Sequence, residues 1–447
     1  MDGKEVVTYL KSLDKFGMMP GLARINALLD ELSHPELFMD VIHVAGTNGK
    51  GSTAAMIESI LRKSGYKTGL FSSPHLVRYS ERIKVCGEEI PLLELDSIRM
   101  RLRDRIEAMS NTPDVGHPTE FELTTAICFE WFKMCGVEVA VIETGLGGLL
   151  DSTNVVTPKV SVITPIGFDH MEVLGENLQD IAYQKAGIIK RGVPLATSEQ
   201  LDEAYEVLED AALIKEADIY RVTKDIAYEV CESSLSGITV DMRIDEDSKL
   251  VKDCRVKTSG KFRIELGLPG IYQAENAACA LLALSILRLD EKYSNISDEA
   301  ICSGFKSVTH SGRFEVIGSV PTIILDGAHN LEGARALSDS LHSIFGDEKL
   351  VMLMGLSKDK PASQMLKALK ENISYLFVTH SKHSRLGAFD TKELTKIAAL
   401  EGILVEECDD LEEALRRAME AAKQSTLVVC GSLYLIGEIK SILTGER

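Results

Sequence analysis

The segment VIHVAGTNGKGSTAAMIESILRK constrains this chain more than any other. Residues 41–45, VIHVA, read as a buried strand, and Ser52 to Lys63 carries helical spacing. The junction between them, VAGTNGKGST at 44–53, is rich in glycine. Gly46, Gly49 and Gly51 let the backbone approach a polyphosphate and take conformations that other residues resist. Their N–H groups and the helix N-terminus would then face the phosphates. Lys50 can reach the outer phosphates, and Ser52 or Thr53 offers a hydroxyl to Mg²⁺. The spacing is not the strict G-x-x-x-x-G-K-[ST] loop, because position 44 is Val and Gly51 stands between the lysine and Ser52. A glycine-rich turn without a ligand is the competing reading. Strand, lysine, hydroxyls and helix falling in order favour the nucleotide.

The same alternation of apolar β-rich runs and helical patterns continues along the chain. VEVAVIE (137–143) and VSVIT (160–164) read as further strands, and 119–134 and 177–189 as helices. Alternation of this kind predicts a doubly wound, mainly parallel sheet. Between 220 and 268, YRVTKDIAYEV, GITVDMRI and KFRIELGL carry strand signals separated by polar segments, an antiparallel section of the same domain. A helix follows from about Gln273. Strands then recur at TIILD (322–326), KLVMLM (349–354), YLFVTH (375–380), ILVEE (403–407) and TLVVC (426–430). The fold class is therefore α/β: an N-terminal P-loop ATPase-type domain over 1–296 and a smaller Rossmann-like domain over 297–447. A chain of 447 residues has room for two or three such units.

Composition excludes several function classes. The net charge of −19 disfavours nucleic acid and anionic membranes as partners. No apolar run approaches the ~18 residues of a transmembrane helix, and the N-terminal stretch lacks a signal-peptide pattern, so the cytoplasm is the expected location. The nine cysteines show no CxxC pair and no zinc spacing, so they read as thiols.

Further candidates sit at strand ends. In an open parallel sheet, ligands bind beyond the carboxyl ends of the strands. Glu143 closes VEVAVIE there, and VSVIT leads to Asp169 and His170. Glu143 with His170 forms half of a shell for Mg²⁺, a hard cation that prefers oxygen ligands. Lys185, in QKAGIIK, joins this set only by its place after the His170 strand end; alone it reads as a solvated charge.

Eight motifs then appear in order: GTNGKGS (46–52), FSSPHLVRYSERI (71–83), IETGLGGLLDSTN (142–154), DHMEVLG (169–175), QKAGII (184–189), SGRFEVI (311–317), LDGAHN (325–330) and GSLYLIGEI (431–439). Together they closely resemble the folylpolyglutamate synthase/dihydrofolate synthase family, a branch of the Mur ligase superfamily. The resemblance implies a reaction in which ATP phosphorylates a pteroate or folate carboxylate and the amine of glutamate attacks the acyl-phosphate. It implies ATP contacts from Asn48, Gly49, Lys50, Gly51, Ser52, Asn276, Arg313 and Asp326, with Arg313 acting after domain closure. Two Mg²⁺ sites are implied at Ser52, Ser73, Glu143, His170 and a carbamylated Lys185, with a monovalent cation such as K⁺ as a further cofactor. His329 is implied at the incoming glutamate. Lys50, Lys185, His170, Asp326 and His329 are the implied catalytic set. The segment 72–86 matches a mobile loop over the pterin, and Phe121, Glu122, Asp151 and Ser152 fall where the family binds dihydropteroate. An aromatic face suits a flat pterin and a carboxylate its donor edge. Small molecules are then the partners of a monomeric enzyme, expected to act on both dihydropteroate and reduced folates.

The chain departs from the family pattern at Leu149, often Arg, at His310-Ser311, often Trp-Pro, and at Leu331, usually Pro. Two other readings compete: a Mur-type ligase for a cell-wall nucleotide precursor, and a nucleotide-dependent switch. The segment SSPHLVRYSERI speaks against the first, and the set Lys50, Glu143, His170, Lys185, Arg313 and Asp326 against the second.

Overall fold

The computed structural model describes residues 3–13, 20–112, 115–244, 248–254, 260–318, 320–382 and 387–445. Among the described residues, seventeen strands form three sheets. The first eight are β1 (Asp40–Ala45), β2 (Thr68–Phe71), β3 (Ile83–Val85), β4 (Glu88–Glu89), β5 (Val139–Glu143), β6 (Val160–Ile163), β7 (Leu195–Thr197) and β8 (Ile219–Arg221). They build one sheet in the order β4-β3-β2-β5-β1-β6-β7-β8. Strands from β2 to β8 across this order pair in parallel, while β3 and β4 add an antiparallel edge. β1, β5 and β6 are apolar and almost wholly buried, as strands covered on both faces must be.

Strands β9 (Ile226–Ser234), β10 (Gly237–Ile244) and β11 (Gly260–Leu266) form the expected antiparallel section as a separate sheet. Its first predicted segment divides, because Ile219–Arg221 pairs in parallel with β7 instead. The third sheet holds β12 (Glu315–Ile317), β13 (Thr322–Leu325), β14 (Leu350–Met354), β15 (Ile373–Val378), β16 (Val405–Glu407) and β17 (Thr426–Cys430). Its order is β12-β13-β17-β14-β15-β16, parallel except at β12.

Local sequence explains the helix ends near the cleft. The helix Glu120–Cys135 starts with a capping box between Thr119 and Glu122 and stops at Gly136, whose φ is 67°. The helix Leu331–Phe345 starts where the Asn330 side chain accepts from the Gly333 N–H. The helix Lys50–Lys63 has no side-chain cap; it follows Gly49 directly.

Two apolar layers cover the first sheet. One combines the helices Lys50–Lys63 and Gln273–Leu287 with the antiparallel sheet. It also takes in Ile301, Phe305 and Val308. The helix Asp298–Ser307 crosses Lys50–Lys63 so closely that a Cβ on Gly304 would lie 2.5 Å from the Ile60 side chain. The Ser59 hydroxyl donates to the Gly304 carbonyl at 2.8 Å. A division between 296 and 297 separates this helix from the core it joins.

Candidate active site

The carboxyl ends of β1, β2, β5 and β6 open onto a cleft of about 430 Å³, closed on its far side by the C-terminal unit. The phosphate loop follows β1. It is braced by the turn after β6: the Thr47 N–H donates to Pro165 O at 2.9 Å, and the Thr47 hydroxyl bonds with Gly167. Gly46 has φ 148°, and a Cβ there would meet Thr164 Oγ1 at 1.9 Å. Gly49 has φ 85°, and a Cβ would meet Asn276 Oδ1 at 2.2 Å. Both positions therefore demand glycine. Lys50 curls over its own loop, donating to Gly46 O at 3.2 Å and Thr47 O at 3.1 Å.

Asn48, Gly49, Lys50, Gly51, Ser52, Ser73, Glu143, His170 and Lys185 all line the one cleft. Glu143 is buried and accepts from the Ser73 N–H at 3.1 Å. Burial raises its carboxyl, opposed by the nearby Lys50 and Arg313 charges. Lys185 is also buried, with its amine 2.8 Å from Gly46 O. Loss of hydration, aided by Lys50, pushes that amine down to about 7. Burial lowers the His170 ring too. Among the described residues, no three His, Cys, Asp or Glu side chains stand together as a metal cage. The donor set fits Mg²⁺ in another way, since that ion is held by one or two carboxylates plus phosphate oxygens and water. Buried Glu143 and the Ser52 hydroxyl at the loop are the residues that would supply such a partial shell.

The C-terminal unit brings Arg313 and His329 to the opposite wall. Arg313 forms no ion pair or hydrogen bond among the described residues, which leaves a cation available to a ligand. Asn276 and Asp326 do not line the cleft. Asn276 is buried behind Gly49, bonded to Gln273 at 2.9 Å. Asp326 is buried too, accepting from the Tyr272 hydroxyl at 2.9 Å and the N–H groups of Phe314 at 2.9 Å and Ala328 at 2.8 Å. Its carboxylate thus pins the turn that carries Arg313.

The expected pterin residues Phe121, Glu122, Asp151 and Ser152 all line the cleft. Phe121 stays partly exposed, its ring 5.7 Å from that of Phe71 and against Gly145. Glu122 spends its oxygens on Arg24 Nε, 2.9 Å from each, and on the Thr119 N–H at 2.7 Å. Asp151 accepts from Leu146 N at 2.8 Å and Thr153 N at 3.0 Å. These two carboxylates line the cleft and also brace its walls.

Arg82, Arg24, Asn330 and Lys360 escaped sequence reasoning. Arg82 reaches the cleft from the 72–86 segment, paired with Glu120 at 3.0 Å and donating to His75 at 2.8 Å. Across the cleft, Asn48 and Asn330 exchange amide hydrogen bonds at 3.3 and 3.2 Å. Asp169 meets His329 at 3.3 Å and Lys360 at 2.8 Å. Burial opposes its ionisation, yet His329, His170 and Lys360 hold Asp169 well below the usual carboxylate range. An asparagine before the helical run after LDGAH was a readable cap signal. Nothing in the sequence around Lys360 or Arg24 pointed to theirs.

A phosphate loop on a parallel sheet, facing a Rossmann-like unit across a cleft that both line, defines an ATP-dependent ligase of the Mur type. The sequence matches the Mur ligase middle domain over residues 44–284 and the Mur ligase glutamate ligase domain over residues 312–433. It is 36% identical over 434 residues to the dihydrofolate synthase/folylpolyglutamate synthase of Bacillus subtilis, covering 96% of each chain. The structure is similar to Mycobacterium tuberculosis folylpolyglutamate synthase complexed with ADP and AMPPCP, with TM-score 0.87, 29% identity and coverage of 100% and 99%. The Thermotoga maritima folylpolyglutamate synthase gives TM-score 0.83 and 33% identity, with coverage of 100% and 97%. The chain belongs to the folylpolyglutamate synthase/dihydrofolate synthase family.

Proposed function

We infer that this chain ligates L-glutamate to dihydropteroate and to reduced folates at the expense of ATP, through an acyl-phosphate. The observation that carries the reading is one cleft with a phosphate loop on one wall, Arg313 and His329 on the other, and the Phe121 ring between the first-unit loops. Relatives along the full length bear both activities in their names, as in Bacillus subtilis and Escherichia coli. An Escherichia coli relative was solved with DHPP and ADP.

A carboxylate is a poor electrophile, and phosphorylation supplies its leaving group. Both partners in that transfer are anions, so cations must hold their oxygens in line. The loop N–H groups and Lys50 bind the phosphates; ligand oxygens would replace the loop carbonyls that Lys50 now meets. Arg313 adds charge from the C-terminal unit. Ser52, Ser73, Glu143, His170 and Lys185 would hold Mg²⁺, with K⁺ or a similar ion as a further cofactor. Bound Mg²⁺ neutralises phosphate charge and orients the oxygens. An ammonium at Lys185 would oppose a metal, whereas a carbamate there would supply oxygens and negative charge. Phe121 stacks on the pterin, and His329 receives glutamate. A monomer acting in the cytoplasm on small molecules completes the reading; no helix among the described residues is long and apolar enough to cross a membrane.

The test is phosphate release from Mg-ATP with glutamate, comparing dihydropteroate, tetrahydrofolate and no acceptor. Release is expected only with glutamate and a pterin together, and with either pterin. Release indifferent to all pterins would overturn the folate reading; release with one pterin alone would overturn its bifunctional part.

A further inference from the structure

Asp169 lies on the loop after β6, and its side chain is only 8% exposed. Among the described residues, every side-chain group that meets its carboxylate comes from the C-terminal unit, while the His170 N–H on its own loop donates to Oδ1 at 2.9 Å. His329 Nε2 lies 3.3 Å from Oδ2, Asn330 Nδ2 donates to the same oxygen at 3.2 Å, and Lys360 Nζ donates to Oδ1 at 2.8 Å. These partners belong to two separate segments, the turn after β13 and the loop after β14. Exposed ion pairs between domains contribute little, but a buried carboxylate shared by three side-chain donors from the facing unit sets their geometry. Lys360 also meets Asp359 at 2.8 Å, which balances its charge inside the protein. The other ring nitrogen of His329 lies 2.7 Å from Gly327 O, so both nitrogens are held and the ring has one orientation. Asn330 extends the contact to Asn48 in the phosphate loop, at 3.2 Å.

We propose that Asp169 is a positioning residue for the incoming glutamate, acting through His329 and Asn330. It docks the glutamate wall onto the phosphate loop, so that the amine approaches a carboxylate activated on the opposite side. Lys360 is the partner that keeps this carboxylate in place. The inference rests on the ligase reading above, because it needs glutamate to arrive at the His329 wall.

The experiment measures steady-state kinetics of the full chain with Mg-ATP, a pterin and glutamate for wild type, Asp169→Asn, Lys360→Met and the double variant. Asp169→Asn is expected to raise the glutamate KM roughly tenfold or more, as loss of charge-assisted hydrogen bonds does. KM for ATP and for the pterin should stay within about twofold, a split that a purely structural role would not produce. The double variant should be no worse than the more damaged single one, since both act through one contact. Where turnover is too low to fit, glutamate-dependent thermal stabilisation with ADP and pterin bound makes the same comparison. An unchanged glutamate dependence, equal damage to all three substrates, or multiplying effects would overturn the inference. Wild-type release that ignores glutamate would instead sink the ligase reading, so the two failures are distinguishable.

Discussion

Replacing Arg24 with Met tests whether Glu122 serves the fold or the pterin. Arg24 Nε lies 2.9 Å from both Glu122 oxygens, with side chains 10% and 2% exposed. Removing one partner of a buried pair leaves an uncompensated charge and costs about 3–5 kcal/mol. Glu122 keeps the Thr119 N–H at 2.7 Å and hydroxyl at 2.9 Å, so the loss should fall near the lower end, about 3 kcal/mol. Glu122→Gln removes the charge and much of the cap's strength. In the double variant the orphaned charge is gone, so a coupling of about 2 kcal/mol is expected. Urea unfolding followed by circular dichroism gives the four stabilities, and steady-state assays give the pterin KM. Loss of under about 1 kcal/mol for Arg24→Met would refute the reasoning. So would a large rise in pterin KM for Glu122→Gln at unchanged stability, because Glu122 would then be a ligand of the pterin.

Lys185→Ala should abolish most turnover, and a short carboxylate in the medium should partly restore it; full activity without rescue excludes a role at the metal. Arg313→Ala should lower turnover by roughly a hundredfold, in keeping with loss of a charge-stabilising group in phosphoryl transfer, and unchanged ATP use would remove it from the reaction. His43 is buried, its Nε2 2.8 Å from Thr153 Oγ1, and burial followed by the Lys190 charge pushes the ring down to about 3 from an ordinary 6.5. Its folded value lies below its unfolded one, so its contribution is whole above pH 6.5 and is lost as pH falls towards 3. Between pH 6.5 and 4.5 that is a loss of about 2–3 kcal/mol. His43→Met should therefore show a shallower acid dependence of its urea midpoint than wild type, and identical slopes would count against the buried neutral ring.

Legibility in the sequence followed the range of the interactions. Strand-to-helix junctions are local, so GTNGKGS announced a phosphate loop before any packing was known. Glu143 and His170 were found because a strand end is also a place in space, Lys185 came with the motif QKAGII, and the structure brings all three to the same cleft. The helix Asp298–Ser307 was harder to allot, since its amphipathic pattern says that it packs and not against which core. Glu122 and Asp151 line the cleft where pterin residues were expected, and the hydrogen bonds that tie both to its walls come from partners the sequence did not point to.

By itself, then, the sequence determined the α/β class, the phosphate loop and the strand-end chemistry, because periodicity and glycine placement act over a few residues. Only the tertiary structure decided which charges face a ligand. Arg24 meets Glu122 across 98 positions, and Asn48 meets Asn330 across 282. Whether a carboxylate is free, capped or latched to another domain depends on such distant partners, and burial then sets the protonation of groups such as Lys185.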